Sequence, residues 1–214
     1  MKSLILIDDH DMLRTGVADW ITKHSDWKII GQASCMNQAE QLIQSINIDK
    51  DEICVAVVDL SLKESGTSDN TNGYSVLKMI NESGKDIRTV VYSSFDSGIY
   101  INKAMSEEYG CLGYVSKNSN IHILLEAINE AAIGNVYIQH DLSNTVKQAA
   151  FMIDALTKKE KCVIECIAQG LSNKDAAEKL GISQRTLENH LSKIYDKTDT
   201  NDKFSMLKKL GFSQ

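Results

Sequence analysis

The sequence predicts an α/β doubly wound parallel sheet followed by a small all-α domain. Short apolar runs alternate with helical patterns up to about residue 133, whereas the pattern from residue 156 onward is purely helical. The 214 residues, of which 43% are hydrophobic, suffice for two small domains that each bury a core. We therefore expect a first domain in residues 1–133, a linker in 134–153 and a second domain in 154–214.

Five apolar runs predict the strands of the sheet. The runs are residues 4–7, 28–33, 53–59, 89–93 and 112–116. Each run is followed by a segment in which apolar residues recur at helical spacing, as in residues 11–24 and 36–46. Strands that are apolar throughout and alternate with helices are typical of a parallel sheet covered on both faces. For such a sheet we expect a five-stranded arrangement in the order 2-1-3-4-5.

The last part of the chain contains start and stop signals for four helices. Thr157 and Glu160 form a capping-box pattern that predicts the start of the first helix, and Gly170 predicts its end. The later helices are expected over residues 172–180, 183–197 and 200–210. The second and third are joined by a short turn that contains Gly181, an arrangement typical of a helix-turn-helix.

The net charge of −6 is shared unevenly along the chain. Residues 154–214 hold 11 Lys/Arg and 9 Asp/Glu, a net charge of +2, whereas the preceding residues hold 12 and 20, a net charge of −8. This contrast indicates two modules with different partners, although the basic excess is too small to indicate nucleic-acid binding on its own.

Membrane, secreted and disulfide-stabilised proteins are disfavoured by the sequence. No apolar run approaches the roughly 18 residues that a membrane span needs, and the N-terminus lacks the layout of a signal peptide. The five cysteines are scattered and form no CxxC pair, so neither a disulfide framework nor a zinc site is indicated. We expect a cytoplasmic protein without a membrane partner.

Three carboxylates follow neighbouring strands of the predicted sheet. Asp8 and Asp9 end the first strand and Asp59 ends the third, while Ser93 and Lys117 end the fourth and fifth. The carboxyl ends of parallel strands share one crevice, so these side chains are expected to converge. Carboxylates can hold Mg²⁺, and the metal and the lysine can neutralise a phosphoryl group that the third-strand aspartate takes up as an acyl phosphate. Considered singly, each residue could equally cap a helix or lie solvated on the surface.

Four segments carry a resemblance to a known family. LILIDDHDMLRTGV, VAVVDLSL, VVYSS and GYVSK resemble the receiver domain of bacterial response regulators, over residues 1 to about 133. The resemblance implies a CheY-like receiver in which Asp59 is the phosphoacceptor. It further implies that Asp8, Asp9, Asp59 and the backbone carbonyl of Ser61 hold Mg²⁺.

The same resemblance implies a set of switch residues. It assigns the phosphoryl-stabilising hydroxyl to Ser93 and the lysine to Lys117, and it makes Tyr114 the aromatic ring that follows the hydroxyl inward. A second interpretation of Tyr114 is an amphipathic ring at a strand edge. The loop between Asp59 and Gly73 departs from the family, since it lacks proline and is six residues longer than usual. We expect residues 61–72 to form a mobile loop.

The helical tail resembles the LuxR-type helix-turn-helix from about residue 156 to 211, which places the whole chain among NarL/FixJ-type response regulators. The residues that the resemblance and the helical spacing place on a DNA-binding surface are Asn173, Lys174, Arg185, Glu188, Asn189, Ser192 and Lys193. Asn189 suits an adenine edge, Arg185 or Lys193 a base or phosphate, and the two residues near the start of the second helix suit phosphates. A merely solvated helix face is the other interpretation.

Two positions of this surface depart from the family. Glu188 and Ser192 stand where these regulators commonly have basic residues, so we expect modest affinity of the monomer and dependence on dimerisation. Met206, Leu207 and Leu210 of the last helix either pair the active dimer or pack within the tail.

The sequence therefore favours a two-component response regulator rather than a metabolic enzyme. A sensor histidine kinase would phosphorylate it, and the active homodimer would bind double-stranded DNA and change transcription. A haloacid-dehalogenase-like phosphatase is disfavoured because its second aspartate is replaced by Ser61. The remaining alternative is a phosphorylation-independent regulator or a protein-binding module whose tail does not bind DNA specifically.

Overall fold

The computed structural model describes residues 1–49, 51–62 and 73–210. It divides the chain into two compact units, one of residues 1–96 and 103–140 and the other of residues 97–102 and 141–214. Most of the expected mobile loop, residues 61–72, lies outside the described residues. Among the helices within these ranges, none is long and apolar enough to cross a membrane.

The part of the chain up to residue 140 alternates strands and helices as expected. The strands are β1 (Lys2–Ile7), β2 (Lys28–Ala33), β3 (Ile53–Val58), β4 (Ile87–Ser93), β5 (Cys111–Ser116) and β6 (Tyr137–Ile138). The helices are α1 (Asp11–His24), α2 (Met36–Ser45), α3 (Gly73–Glu82), α4 (Gly98–Ala104) and α5 (Ile121–Ala132). The strand-and-helix alternation and the parallel pairing are thereby confirmed.

In the described part of the chain the sheet has six strands in the order β2-β1-β3-β4-β5-β6, and its five strand pairs are all parallel. The expected order of the first five strands is confirmed, but the expected total of five is wrong. The additional strand pairs Tyr137 with Gly113 and Ile138 with Tyr114. Two residues are too few to show the apolar run or the alternation by which strands are found in a sequence. The segment that we expected to be a linker therefore contributes to the sheet.

Both faces of the sheet are buried at β1, β3, β4 and β5, which explains why these four strands are largely apolar. One face packs against α1 and α5. The buried residues that the strands contribute to it are Leu4, Leu6, Val55, Val57, Val90, Tyr92 and Val115. The alternate residues Ile5, Ile7, Ala56 and Val58 are also fully buried. Complete burial of a valine, leucine or isoleucine side chain stabilises the fold by about 1.5–3 kcal/mol. The central strands are therefore held firmly, and so are their ends, at which the acidic residues emerge.

Between β6 and residue 210, where the described part of the chain ends, there are five helices. They are α6 (His140–Asp154), α7 (Lys158–Ala168), α8 (Asn173–Lys179), α9 (Gln184–Thr198) and α10 (Lys203–Leu210). The capping box of Thr157 and Glu160 is present, and Ser172 and Ser183 cap α8 and α9. Gly181, in the turn between α8 and α9, has φ of +64°, a conformation that favours glycine. The predicted starts of α7, α8 and α9 are confirmed.

The core of the second unit settles the position of the α10 side chains. Met206, Leu207 and Leu210 are 0%, 3% and 1% exposed and pack with α7 and α9 residues. Of the two interpretations of these residues, the structure thus shows packing within the tail. An ion pair borders this core, since Nζ of the exposed Lys197 lies 2.7 Å from Oε2 of the buried Glu160. Burial alone would raise the pKa of Glu160, but hydrogen bonds from Lys197 and Thr157 lower it below its ordinary value.

Candidate functional site

The ends of β1 and β3 bring the predicted carboxylates together. Ile7 and Val58 are register partners, so Asp8 and Asp59 emerge side by side from adjacent strands. The Asp59 N–H donates to the Ile7 carbonyl oxygen at 2.8 Å, which continues the ladder up to the site. One potential ligand atom from each of Asp8, Asp9, His10 and Asp59 lies within 4.8 Å of the others. The sequence prediction that the three aspartates converge matches this geometry.

Lys117 links two of these carboxylates. Its Nζ lies 2.7 Å from Asp8 Oδ2 and 2.7 Å from Asp59 Oδ2. The Lys117 N–H donates to the Ser93 carbonyl oxygen, which fixes the residue at the end of β5. Burial alone would lower the pKa of Lys117, but the charges and hydrogen bonds of Asp59 and Asp8 raise it above its ordinary value. The ammonium group therefore stays charged and offsets the repulsion between the two carboxylates.

Arg14 and His10, which the sequence analysis did not single out, hold the acidic turn that contains Asp8 and Asp9. Arg14 donates to the Asp8 carbonyl oxygen and to Asp11 Oδ1, each at 2.5 Å, and to Gln32 Oε1 at 3.2 Å. The His10 backbone N–H donates to Asp8 Oδ1 at 2.8 Å, and its ring Nδ1 lies 2.8 Å from Asp9 Oδ1. The signals in the sequence were that His10 directly follows the aspartate pair and that Arg14 lies in the first helix after it.

Asp59 is 1% exposed and is oriented from both sides. The Ser61 N–H donates to its Oδ1 at 3.1 Å, while Lys117 binds Oδ2. Gly73, the first residue of α3, passes so close that a Cβ there would lie 2.2 Å from the Asp59 carbonyl oxygen and 2.4 Å from Leu60 Cα. Any side chain at this position would displace the backbone that carries Asp59.

Ser93 and Tyr114 are linked through the backbone of Phe95. Ser93 is fully buried, and its Oγ accepts a hydrogen bond from the Phe95 N–H at 3.4 Å. The Tyr114 hydroxyl donates to the Phe95 carbonyl oxygen at 2.5 Å. Burial raises the pKa of Tyr114 well above its ordinary value, with smaller contributions from Tyr74, Cys111 and Asp59. The ring lies fully buried on β5, which has β4 and β6 as neighbours, so Tyr114 is not at a strand edge.

Gln139 is a site-supporting residue that the sequence analysis missed. Its Oε1 accepts hydrogen bonds from the Ser116 N–H at 3.0 Å and from Ser119 Oγ at 2.6 Å. These bonds hold the turn on which Lys117 lies. Gln139 directly follows β6, and without that strand the sequence offered no reason to place it near the site.

The helix-turn-helix of the second unit presents a continuous polar surface on α9. The buried side of the helix consists of Leu187, Leu191 and Ile194, which are 0%, 4% and 0% exposed. The predicted DNA-contacting residues of this helix are all exposed: Arg185, Glu188, Asn189, Ser192 and Lys193. On α8, Lys174 is exposed and Asn173 is half-buried. The structure therefore gathers the five α9 residues on one helix and leaves them accessible.

Comparison with known families matches both units of the chain. The model of the response regulator receiver domain matches residues 4–129. The model of the bacterial regulatory proteins of the luxR family matches residues 154–210. This chain belongs to the response regulators. It is a two-component response regulator with a LuxR-type DNA-binding domain, a family of transcription regulators.

Curated relatives align with this response regulator over most of their length. The nitrate/nitrite response regulator protein NarL of Escherichia coli K12 is 29% identical over 203 residues, covering 91% of this chain and 88% of NarL. The transcriptional regulatory protein UhpA of Salmonella typhimurium is 28% identical over 197 residues, covering 92% and 91%.

Solved structures share the fold of this regulator. The two-component response regulator RcsB in its DNA complex has a TM-score of 0.68 at 18% identity and covers 99% of this chain and 98% of its own. RcsB of Salmonella enterica serovar Typhimurium, bound to a promoter with the phosphomimetic BeF₃⁻, has a TM-score of 0.68 at 18% identity and covers 98% of each chain.

The donor atoms at the regulator's acidic site suit a hard divalent cation. Receiver domains generally bind Mg²⁺ at an acidic pocket, and the acidic cluster of Asp8, Asp9 and Asp59 supplies the oxygen ligands that this ion prefers. The nearby ammonium of Lys117 neutralises part of this charge.

Proposed function

We propose that this regulator receives a phosphoryl group from a sensor histidine kinase on Asp59. The observation that carries the proposal is the geometry of that carboxylate, which is 1% exposed, bonded to the Ser61 N–H and held 2.7 Å from the Lys117 ammonium. A carboxylate fixed in this way presents an oxygen in one orientation, and phosphoryl transfer needs chiefly positioning and charge neutralisation.

In the proposed step an Asp59 oxygen attacks the phosphorus of the donor phosphohistidine. The new oxygen–phosphorus bond forms while the nitrogen–phosphorus bond breaks, and the electron pair returns to the imidazole nitrogen. Asp8, Asp9, Asp59 and the carbonyl of Ser61 would hold Mg²⁺, which supplies charge neutralisation to the phosphoryl oxygens when it is bound. The product is an acyl phosphate on the regulator, which acts as a switch and not as a metabolic enzyme.

The same contacts suggest how the switch is read out. Lys117 can exchange its bond to the Asp59 oxygen for a bond to a phosphoryl oxygen. A phosphoryl group that takes a hydrogen bond from the Ser93 hydroxyl would draw that side chain away from the Phe95 N–H. Since the Phe95 carbonyl oxygen accepts from Tyr114, the displacement reaches the aromatic ring of β5. The activated receiver then favours the homodimer.

We further propose that the active homodimer binds double-stranded DNA through α9. In this assignment Asn189 reads an adenine edge, and Arg185 and Lys193 contact bases or phosphates. Asn173 and Lys174 add phosphate contacts that fix the register. Support comes from the exposure of the α9 residues and from the DNA-bound RcsB structures of the same fold.

One experiment tests both halves of the proposal. The full chain is treated with acetyl phosphate or a cognate kinase and Mg²⁺, and intact-mass measurement then determines whether Asp59 gains a phosphoryl group, with Asp59→Asn as the control. Footprinting on the DNA upstream of its own coding sequence, with and without beryllofluoride, follows. Protection that requires beryllofluoride is the expected result, and a wild-type protein that never gains phosphate would refute the phosphorylation step.

The exposed Glu188 on the α9 surface favours one competing function. A carboxylate there repels phosphates, as expected of a regulator whose tail contacts a protein or does not bind DNA specifically. Absence of protection in both states would favour this alternative. Protection that is equal with and without beryllofluoride would favour phosphorylation-independent DNA binding.

A further inference from the structure

A carboxylate lies on the α9 surface between two cationic side chains. Glu188 is exposed, with Arg185 one turn before it and Lys193 further along the same helix. The burial of Leu187 and Leu191 fixes the rotation of α9, so the position of Glu188 on the surface is determined by the core of the unit. If the exposed side of α9 enters the major groove, Glu188 belongs to the side that faces the DNA.

The Glu188 carboxylate is oriented by a neighbour. Gln184 Nε2 donates a hydrogen bond to Glu188 Oε1 at 3.0 Å, one helical turn away. A hydrogen bond of this kind restricts the side chain and leaves Glu188 Oε2 available for a further donor. Gln184 is itself exposed at the start of α9, so both members of the pair share the accessible surface.

The hydrogen-bond donors in the major groove determine which base can bind such a carboxylate. An ionised carboxylate only accepts hydrogen bonds, so it is repelled by phosphates and by the O6 and N7 acceptors of guanine. Adenine offers an amino group, but its N7 acceptor lies beside it. Cytosine offers the N4 amino group without a neighbouring acceptor on its own edge, and it is the base from which Glu accepts.

We propose that Glu188, positioned by Gln184, selects a cytosine in each half of the operator. This inference rests on the proposed DNA binding of the tail and names the base that the tail distinguishes. Glu188 is the specificity-determining residue and Gln184 the positioning residue, while Arg185 and Lys193 supply attraction to the phosphates that offsets the repulsion by the carboxylate.

The test is selection of binding sites from a randomised duplex library by the full chain with Mg²⁺ and beryllofluoride. The wild type is expected to enrich cytosine at one position of each half-site. Glu188→Gln is expected to change that position toward adenine, because glutamine pairs with adenine N6 and N7. In direct titrations, replacing the cytosine pair should weaken wild-type binding by roughly tenfold or more and leave the Glu188→Gln variant nearly unaffected.

Two further variants separate the roles. Gln184→Ala should reduce the cytosine preference several-fold, measured as the ratio of the Kd values for the selected site and for the same site without the cytosine, a result that a purely structural role would not give. Glu165→Gln makes the same chemical change on an exposed residue of α7 and should leave the selected sequence unchanged.

The outcomes distinguish this inference from the function on which it rests. A selected sequence that is identical for the wild type and Glu188→Gln overturns the base assignment and leaves DNA binding intact. Failure of the wild type to select any sequence overturns both. A change confined to one position per half-site, with circular dichroism spectra that match the wild type, supports the assignment.

Discussion

Replacing Lys117 with methionine tests whether its ammonium allows Asp8 and Asp59 to lie side by side. Lys117 Nζ is 2.7 Å from an oxygen of each, and the three side chains are only 10%, 10% and 1% exposed. Methionine retains an apolar chain of similar length and removes the charge. Removing one partner of a buried ion pair costs about 3–5 kcal/mol, because a buried charge is left uncompensated. We expect a loss near the lower value, about 3 kcal/mol, since the His10 N–H still donates to Asp8.

Mg²⁺ should restore part of this loss. A ligand that binds only the folded state stabilises it by about 2.7 kcal/mol at 100 times its Kd, and every tenfold gain in affinity adds about 1.4 kcal/mol. Lys117 and Mg²⁺ are attracted by the same carboxylates, so the Lys117→Met variant should bind the ion more tightly than the wild type. The difference in unfolding free energy between the two proteins should therefore shrink by about 1 kcal/mol or more in saturating Mg²⁺.

The assay is urea unfolding followed by tryptophan fluorescence, in EDTA and in Mg²⁺. Trp20 and Trp27 both lie in the first unit, so the signal reports the unit that holds the site. Lys78→Met is the matched control, because Lys78 pairs with Glu108 at the surface and should have little effect. A Lys117→Met loss below about 1 kcal/mol, or an equal Mg²⁺ gain in both proteins, would refute the reasoning.

Three other substitutions probe the remaining contacts. Gly73→Ala should slow phosphorylation by acetyl phosphate at least several-fold, because the added Cβ would lie 2.2 Å from the Asp59 carbonyl oxygen. Lys197→Met should destabilise α7, measured by amide exchange. The folded-state pKa of Glu160 is lowered below its ordinary value of 4.5. The stabilisation that the Lys197–Glu160 pair provides is therefore fully present at pH values above 4.5 and is lost as the pH falls through the folded-state pKa. Glu188→Lys should raise affinity for random DNA and steepen its salt dependence by about one unit of slope.

Each of these substitutions has a control within the chain. Gly16→Ala adds a Cβ with no atom within 4 Å and should leave phosphorylation unchanged. Lys209→Met removes an exposed partner of Asp199 and should not change exchange in α7. Glu165→Lys adds the same charge on α7, and an equal rise in DNA affinity there would show that the effect of Glu188→Lys depends on net charge and not on the α9 surface. Normal phosphorylation of Gly73→Ala, or an unchanged α7 in Lys197→Met, would contradict the corresponding contact.

The parts of the fold that were predictable are those in which local pattern and tertiary packing agree. The strands β1, β3, β4 and β5 are largely apolar because both faces of the sheet are buried there, and so their ends could be located. Ser172 and Ser183 precede helices because their side chains cap the first turn, a requirement that is visible in sequence. Placing Asp8 and Asp59 together then required only the strand order.

The hydrogen bonds by which residues distant in sequence hold the turns of the candidate site were not predictable. Gln139 reaches the turn of Lys117 only because β6 pairs with β5, and a two-residue strand leaves no periodic signal. Arg14 could be read as a surface residue of an amphipathic helix until its three hydrogen bonds to the acidic turn and to Gln32 were seen. Each of the two residues binds a backbone group, the Asp8 carbonyl oxygen for Arg14 and the Ser116 N–H for Gln139, and no residue-type pattern specifies such a partner.

Gly73 shows that a steric requirement can persist when the spacing of a motif changes. It lies 14 residues after Asp59 in the sequence, six more than the family pattern, and yet its Cα still packs against the Asp59 and Leu60 backbone. The contact joins two backbones, so what the site requires is a residue without a side chain at the start of α3, and the number of intervening residues is free to vary. The length of the loop can therefore change independently of the geometry of Asp59, provided that the helix still begins with glycine.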